Sequence, residues 1–428
     1  MNTEINIHRL ENGLTILTKE MHHVALTSQW VWYRVGSRNE LQGSTGISHW
    51  VEHMQFKGTP RFPIQALDHA ISRDGGFWNA MTYMDWTAYF ETMPSNKMDI
   101  ALELEADRMV NSLFDPDETE RERQVVISER EGNENEPMFK LGEAVRKAAF
   151  INHPYRHEVI GEMDDLRHLT RDDLYKHYRR HYAPFNAVIA IAGDFDAQSA
   201  VKKYASLYGG LTGEPAQVQV NDDDPIASER HVEIKGPGDA IYLQFTYRAP
   251  AANQDDFYTL MVLDSLLTGP SSLAMFGGGS ISNKTSRLYQ KIVEKDLAAS
   301  VSGSLQATID PYLYELMFIL SPGQSIEKVR GLVDTEIERV QNDLVSPNEI
   351  ERAIKQAKAM FAYGSENITN QAFWMGFAAM VADHSWFDNY IHNLEAVSRE
   401  GIRKVARKYL DPDRRVIGTY IPSSSDGK

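Results

Sequence analysis

The sequence predicts an α+β protein built from two homologous domains. The chain has 428 residues, more than one hydrophobic core ordinarily organises and comfortable for two domains of about 200 residues each. Short period-two hydrophobic runs alternate with longer amphipathic stretches, the pattern of mixed strands and helices. The second half repeats the first in outline, with strands and helices at similar spacing, as an internally duplicated chain does.

In the first half, residues 13–18 read as a short strand after the Glu11-Asn12-Gly13 turn, and 27–35 as a buried strand where Trp30 and Trp32 alternate with Val31 and Tyr33. Gly43-Ser44-Thr45-Gly46 leads into a helix that Lys57-Gly58 and Pro60 stop. A helix at 63–74 breaks at Gly75-Gly76, and 77–81 and 85–93 are strands joined by a turn. Residues 97–113 are amphipathic, 116–134 form a charged helix, and 186–192 are a strongly apolar strand. The polar stretch 209–230 predicts an interdomain connection, with domains at 1–210 and 230–428 and the linker at 211–229. Its Asp222-Asp223-Asp224 triplet reads as solvated.

The second half predicts a strand at 241–247, a helix at 255–267 and a glycine-rich connection at 269–282. That connection lacks the G-K-[ST] of a phosphate loop. A helix through Leu288, Ile292 and Val293 follows, then strands at 300–307 and 312–320. Helices at 326–344 and 347–363, a helical tail to Leu410 and a strand at 416–421 complete the chain. Trp374, Met375, Phe377 and Met380 fall at helical spacing and read as core or subunit interface.

Composition narrows the function classes. A formal net charge of -16 argues against nucleic acid and anionic membrane as partners. With no cysteine, disulfides, a thiol nucleophile and thiolate metal ligands are excluded. No apolar run reaches the roughly 18 residues of a membrane span. The first 19 residues lack the basic start and apolar run of a secretory signal, so the expected address is the cytoplasm, or the periplasm if a leader has been removed.

The chemistry concentrates in His49-Trp50-Val51-Glu52-His53. Positions i, i+3 and i+4 share one face of a helix, so both imidazoles can address one metal ion with Glu52 beside them. The bland alternative is a helix with two surface histidines and a salt-bridged glutamate. A catalytic zinc takes three protein ligands and keeps a fourth position open. Glu118, Glu120, Glu122, Glu129, Glu131 and Glu134 on the charged helix all offer a third ligand, and spacing alone does not choose among them. The second half carries no counterpart of the motif in its first helix.

Further motifs extend the pattern: Phe56-Lys57-Gly58-Thr59, Gly75-Gly76, Asn79-Ala80, Asp85-Trp86-Thr87, the run Leu102-Glu103-Leu104-Glu105-Ala106-Asp107-Arg108-Met109, His153-Pro154-Tyr155, Ile160-Gly161, Tyr182-Ala183-Pro184 and Gly193-Asp194. With these, the chain resembles almost end to end the M16 metallopeptidase family, the inverted-zincin group that includes mitochondrial processing peptidase, pitrilysin and insulin-degrading enzyme. Its length resembles the short M16B-type subunits. The resemblance implies two domains of LuxS/MPP-like metallohydrolase type, each a mostly antiparallel sheet packed with helices. It selects Glu129, after Val125-Val126-Ile127-Ser128, as third zinc ligand with His49 and His53, and Glu52 as general base. It also implies an auxiliary catalytic role for Glu122, and substrate binding at Asn79 and Ala80 on an edge strand that an extended peptide joins.

One departure bears on function. Single-subunit relatives carry an arginine and a tyrosine in the second domain that face the zinc. The corresponding run here is Glu294-Lys295-Asp296-Leu297-Ala298-Ala299-Ser300, with no arginine and with Ala299 in the tyrosine's place. Arg287 and Tyr289 lie nearby at the wrong spacing and read as ordinary helix residues. The expectation is a zinc-dependent endopeptidase acting on peptides or unfolded protein, the catalytic subunit of a heterodimer whose homologous M16 partner supplies the Arg/Tyr pair. The alternative is a non-catalytic structural or peptide-binding core subunit of an M16-like complex.

Overall fold

The computed structural model of the protein describes residues 4–64, 71–213, 220, 223, 225–271 and 281–423. The expected helix at 63–74 is helical at its described ends. Its residues 65–70, residues 272–280 of the glycine-rich connection and parts of the linker lie outside the described residues.

The described strands form two sheets. The first contains β1 (Asn6–Arg9), β2 (Thr15–Glu20), β3 (Leu26–Tyr33), β4 (Phe77–Thr82), β5 (Thr87–Pro94) and β6 (Ala187–Gly193), in the order β1-β2-β6-β3-β5-β4. The second contains β7 (Arg230–Gly236), β8 (Tyr242–Arg248), β9 (Ala298–Leu305), β10 (Leu313–Leu320) and β11 (Arg415–Pro422), in the order β7-β11-β8-β10-β9. With β1 set aside, the two orders are the same, strand for strand. Only β2–β6 and β7–β11 run parallel, and they occupy equivalent places. The duplication expected from the sequence is thus written into the topology, and the α+β class holds.

Hydrophobic pattern decides which strands are central. β6 is a run of Ala, Val and Ile buried on both faces, and β3 beside it is buried from its second residue onward. β4 lies at the end of the first sheet, paired with β5 alone, and its residues are exposed or half-buried. On β3, Trp30 stacks on Phe90 at 4.1 Å and Trp32 lies 5.4 Å from Phe373.

Packing groups the described chain into two compact units, each assembled from separate segments. One comprises Met1–Glu131, His157–Asn221 and Ser365–Phe387; the other Gly132–Arg156, Asp222–Gly364 and Asp388–Lys428. The apolar helix Ile368–Val381 therefore lies on β3 and β6 of the first sheet, and the helix Pro137–Ala149 on β11 and β7 of the second. Trp374, Met375, Phe377 and Met380 are core residues of the first unit, all buried. Gly376 permits the contact, because a Cβ there would lie 1.9 Å from Trp32 Nε1. Hydrophobic periodicity carries no signal for this exchange.

Several elements go beyond the sequence reading. β1, β7 and the helices Pro137–Ala149, Met163–His168, Arg171–His181 and Ala197–Tyr208 were not expected. The start of Arg171–His181 is nevertheless written as a Thr170/Asp173 capping box. The single helical tail is three helices, Ile368–Val381, Ser385–Glu395 and Arg399–Tyr409. Asp223 of the acidic triplet is not solvated. Its side chain is 2% exposed, and its carboxylate accepts the amides of Ile151 and Asn152 at 2.6 and 2.9 Å. No described helix is long and apolar enough to cross a membrane.

Candidate metal centre

The helix Ile47–Met54 is only eight residues long, so its start must be held from outside. Glu40 does this. Its carboxylate accepts the amides of Gly46 and Ser48 at 2.8 and 2.9 Å, satisfying donors that a helix start leaves unpaired and placing negative charge at the positive end of its dipole. His157 Nε2 lies 3.1 Å from the same carboxylate. Gly46 adopts φ +84, and a Cβ there would meet the Ile160 carbonyl at 2.4 Å, so glycine is required on both counts. Trp50, Val51 and Met54 are fully buried and fix the helix rotation that turns His49, Glu52 and His53 to one side.

The two imidazoles meet edge to face with centroids 4.6 Å apart. Glu129 reaches them from the helix Pro116–Asn133, with Oε1 3.9 Å from His49 Nε2 and Oε2 3.6 Å from His53 Nε2. The three candidate ligand atoms lie within 4.8 Å of one another. Nitrogen and oxygen donors about 2.1 Å from a tetrahedral zinc stand roughly 3.4 Å apart, so the donor set fits that ion in type, number and spacing. His49 also has the right charge. Burial, with the neighbouring His53, brings its pKa down to about 3, leaving a neutral ring with a free lone pair.

Glu122 lies two helical turns before Glu129 and approaches the other side of the His53 ring. Its Oε1 is 2.8 Å from His53 Nδ1, and its Oε2 takes Lys57 Nζ at 2.5 Å. With Nδ1–H donating to Glu122, the Nε2 lone pair is left for a metal ion on the side where Glu129 lies. Burial lowers the His53 pKa, but the bond to Glu122 and the carboxylates of Glu52, Glu122 and Glu129 outweigh it, and the net shift is upward. For Glu122, burial is outweighed by the bonds to His53 and Lys57, and its pKa falls below the ordinary carboxylate value.

Glu52 is 8% exposed, and burial raises its pKa against the opposing pull of Thr82 and His53. Thr82, the last residue of β4, donates its hydroxyl to Glu52 Oε2 at 2.7 Å. Trp78, Ala80 and Thr82 alternate onto the face of β4 toward the histidine helix, where Trp78 packs 4.9 Å from Phe56. Asn79 points the other way and is exposed. Its Oδ1 accepts the Ala80 amide at 2.9 Å.

Glu40, Lys57 and Thr82 are site residues that the sequence reading did not single out. Lys57 stands one turn beyond His53, a usable signal. Thr82 shares strand parity with Ala80, but the face it takes is a tertiary fact. In the second unit, Ala298 and Ala299 begin β9, the end strand of its sheet, and Arg287 Nε is held by Glu349 Oε1 at 2.9 Å.

Residues 15–162 match the family model described as Insulinase (Peptidase family M16), and residues 168–357 match the one described as Peptidase M16 inactive domain. The chain is 28% identical to Zinc protease PqqE of Helicobacter pylori over 94% of its length and 89% of the relative's. It is 26% identical to a probable mitochondrial-processing peptidase subunit beta of Arabidopsis thaliana, over 95% of this chain and 76% of that one. The crystal structure of a protease from Helicobacter pylori superposes with a TM-score of 0.90 at 24% identity, covering 98% of this chain and 100% of that one. Matched by family models in both halves and by relatives along nearly its whole length, the chain belongs to the M16 metallopeptidase family.

Proposed function

We propose that this chain is a zinc-dependent endopeptidase that cleaves peptides or unfolded protein segments, and that it is the catalytic subunit of a heterodimer. The observation that carries the reading is the convergence of His49, His53 and Glu129 beside Glu52, a buried carboxylate whose proton affinity is raised. His49, His53 and Glu129 would hold the ion. A zinc ion bound there would supply Lewis acidity toward the scissile carbonyl and acidify a water molecule. Glu52, a buried carboxylate of raised proton affinity beside that donor set, would take the proton from an attacking water and pass it to the leaving amine. Glu122 holds the His53 ring in one tautomer and orientation. The unpaired side of β4 accepts the substrate as an added strand, with Asn79 and Ala80 contacting its backbone. Recognition through backbone suits extended, unfolded segments.

The partner is a homologous M16 subunit that contributes the arginine and tyrosine missing from 294–300. That same gap favours the second reading, a structural or peptide-binding core subunit. One experiment decides. Zinc content and fluorogenic-peptide cleavage are measured for wild type and Glu52→Gln, alone and with a homologous subunit. Cleavage by wild type that needs the partner and is lost in Glu52→Gln supports the proposal. Bound zinc with both proteins equally inactive in the partner's presence favours the core-subunit reading, and full activity of the isolated chain removes the heterodimer.

A further inference from the structure

Thr82 is a hydroxyl that the endopeptidase reading leaves without a task, yet it touches the carboxylate on which that reading depends. Three contacts define its role. Its Oγ1 is 2.7 Å from Glu52 Oε2 and 3.4 Å from Thr87 Oγ1, while Thr87 Oγ1 is 2.8 Å from the Val35 carbonyl. A threonine hydroxyl has one hydrogen to donate. Thr87 gives its hydrogen to Val35, so the hydrogen between Thr82 and the ionised Glu52 is the one Thr82 carries. Glu52 is 8% exposed, and no described residue donates to its Oε1. One carboxylate oxygen is therefore pinned and the other is free to take a proton.

The location of the donor matters as much as the bond. Thr82 closes β4 and pairs with Thr87 of β5; beyond β4 the first sheet has no further described strand. A peptide joining that open side pairs with the β4 backbone and orders it. Because Trp78, Ala80 and Thr82 share the face turned to the histidine helix, ordering β4 also orders the hydroxyl that holds Glu52.

We propose that Thr82 is the positioning residue of the general base, linking occupancy of strand β4 to the orientation of the Glu52 carboxylate. This rests on the endopeptidase reading. Thr82 does not touch the reacting atoms. It acts through Glu52, so its loss lowers turnover rather than substrate affinity.

Thr82→Val keeps the β-branched shape that suits a strand and removes only the hydrogen-bonding hydroxyl. Thr82→Ser keeps the hydroxyl and removes a methyl. With the partner subunit present, Thr82→Val should lower kcat for a fluorogenic peptide by roughly ten- to a hundredfold, the effect of losing one hydrogen bond to a charged group. KM should stay within about twofold of wild type, and Thr82→Ser should recover most of the rate, as a positioned hydroxyl requires. Zinc content should match wild type in both variants. Crystal structures of the zinc-loaded proteins give a readout independent of turnover. The Glu52 carboxylate should rotate from its wild-type position in Thr82→Val and keep it in Thr82→Ser. Wild-type kcat in Thr82→Val, a serine variant as slow as the valine one, or a Glu52 carboxylate unmoved in Thr82→Val would each overturn the proposal. A zinc-loaded wild type that cleaves nothing would instead refute the endopeptidase reading, while the crystal structures would still decide whether Thr82 orients Glu52.

Discussion

Replacing Glu122 by glutamine keeps the side chain's size and removes its charge, and the structure sets the expected consequence. The carboxylate sits between His53 Nδ1 at 2.8 Å and Lys57 Nζ at 2.5 Å, and its side chain is 8% exposed, so solvent screens it little. A hydrogen bond to a charged group contributes about 1.5–3 kcal/mol. Losing the partner that orients a metal-bound histidine costs roughly ten- to a hundredfold in metal affinity, or about 1.4–2.8 kcal/mol. The two ranges agree, so zinc Kd should rise by roughly ten- to a hundredfold in Glu122→Gln. The assay is competition with a chromophoric chelator at pH 7.5 on the isolated chain, which needs neither substrate nor partner. Glu120→Gln, a change at an exposed position of the same helix, is the control. An unchanged Kd in Glu122→Gln would refute the argument that Glu122 works through His53.

The same pair predicts a pH signature in the metal-free protein. The His53 pKa is raised on folding, so its contribution is complete below its unfolded value near 6.5 and is lost as pH rises through the folded value. The Glu122 pKa is depressed, so its contribution is complete above the unfolded carboxylate value and is lost as pH falls through the folded value. Urea unfolding should therefore find the pair most stabilising in the mildly acidic window between those limits. Glu122→Gln should flatten that profile; a profile identical to wild type would contradict it. Zinc displaces the His53 proton, so affinity should climb with pH across the same upper limit, more steeply in wild type than in Glu122→Gln.

Three further outcomes are expected. Glu52→Gln should bind zinc like wild type and lose roughly a hundred- to ten-thousandfold in turnover; loss of zinc would make Glu52 structural instead. Zinc at a hundred times its Kd should stabilise the folded chain by about 2.7 kcal/mol, read as a rise in Tm that His53→Ala abolishes. Gly376→Ala should destabilise the first unit by about 1–3 kcal/mol in urea unfolding, since its Cβ would fall 1.9 Å from Trp32 Nε1; unchanged stability would mean that the helix shifts freely.

Much of this molecule was legible because short-range physics wrote it down. The alternation of Trp30 and Trp32 with Val31 and Tyr33 fixes the pleat of β3, and the apolar run of β6 marks a strand covered on both faces. His49, Glu52 and His53 share a face because 3.6 residues make one turn. Glu122 and Glu129 share one for the same reason, two turns apart. None of this required knowing what lies opposite. The six glutamates of the charged helix mark the limit: spacing made each a candidate, and only packing against the histidine helix set Glu129 at their Nε2 atoms and Glu122 behind His53.

By itself, the sequence determined the α+β class, the doubled domain plan, the histidine helix and the strand beside it, since each follows from periodicity within a few turns or residues. Tertiary structure alone decided that Ile368–Val381 covers the first sheet and Pro137–Ala149 the second, that Glu40 caps the histidine helix, that the Asp223 carboxylate is held by the Ile151 and Asn152 amides, and that Thr82 holds Glu52. Those are contacts between segments far apart in the chain. A residue's own pattern records whether it is buried, but not which distant surface buries it.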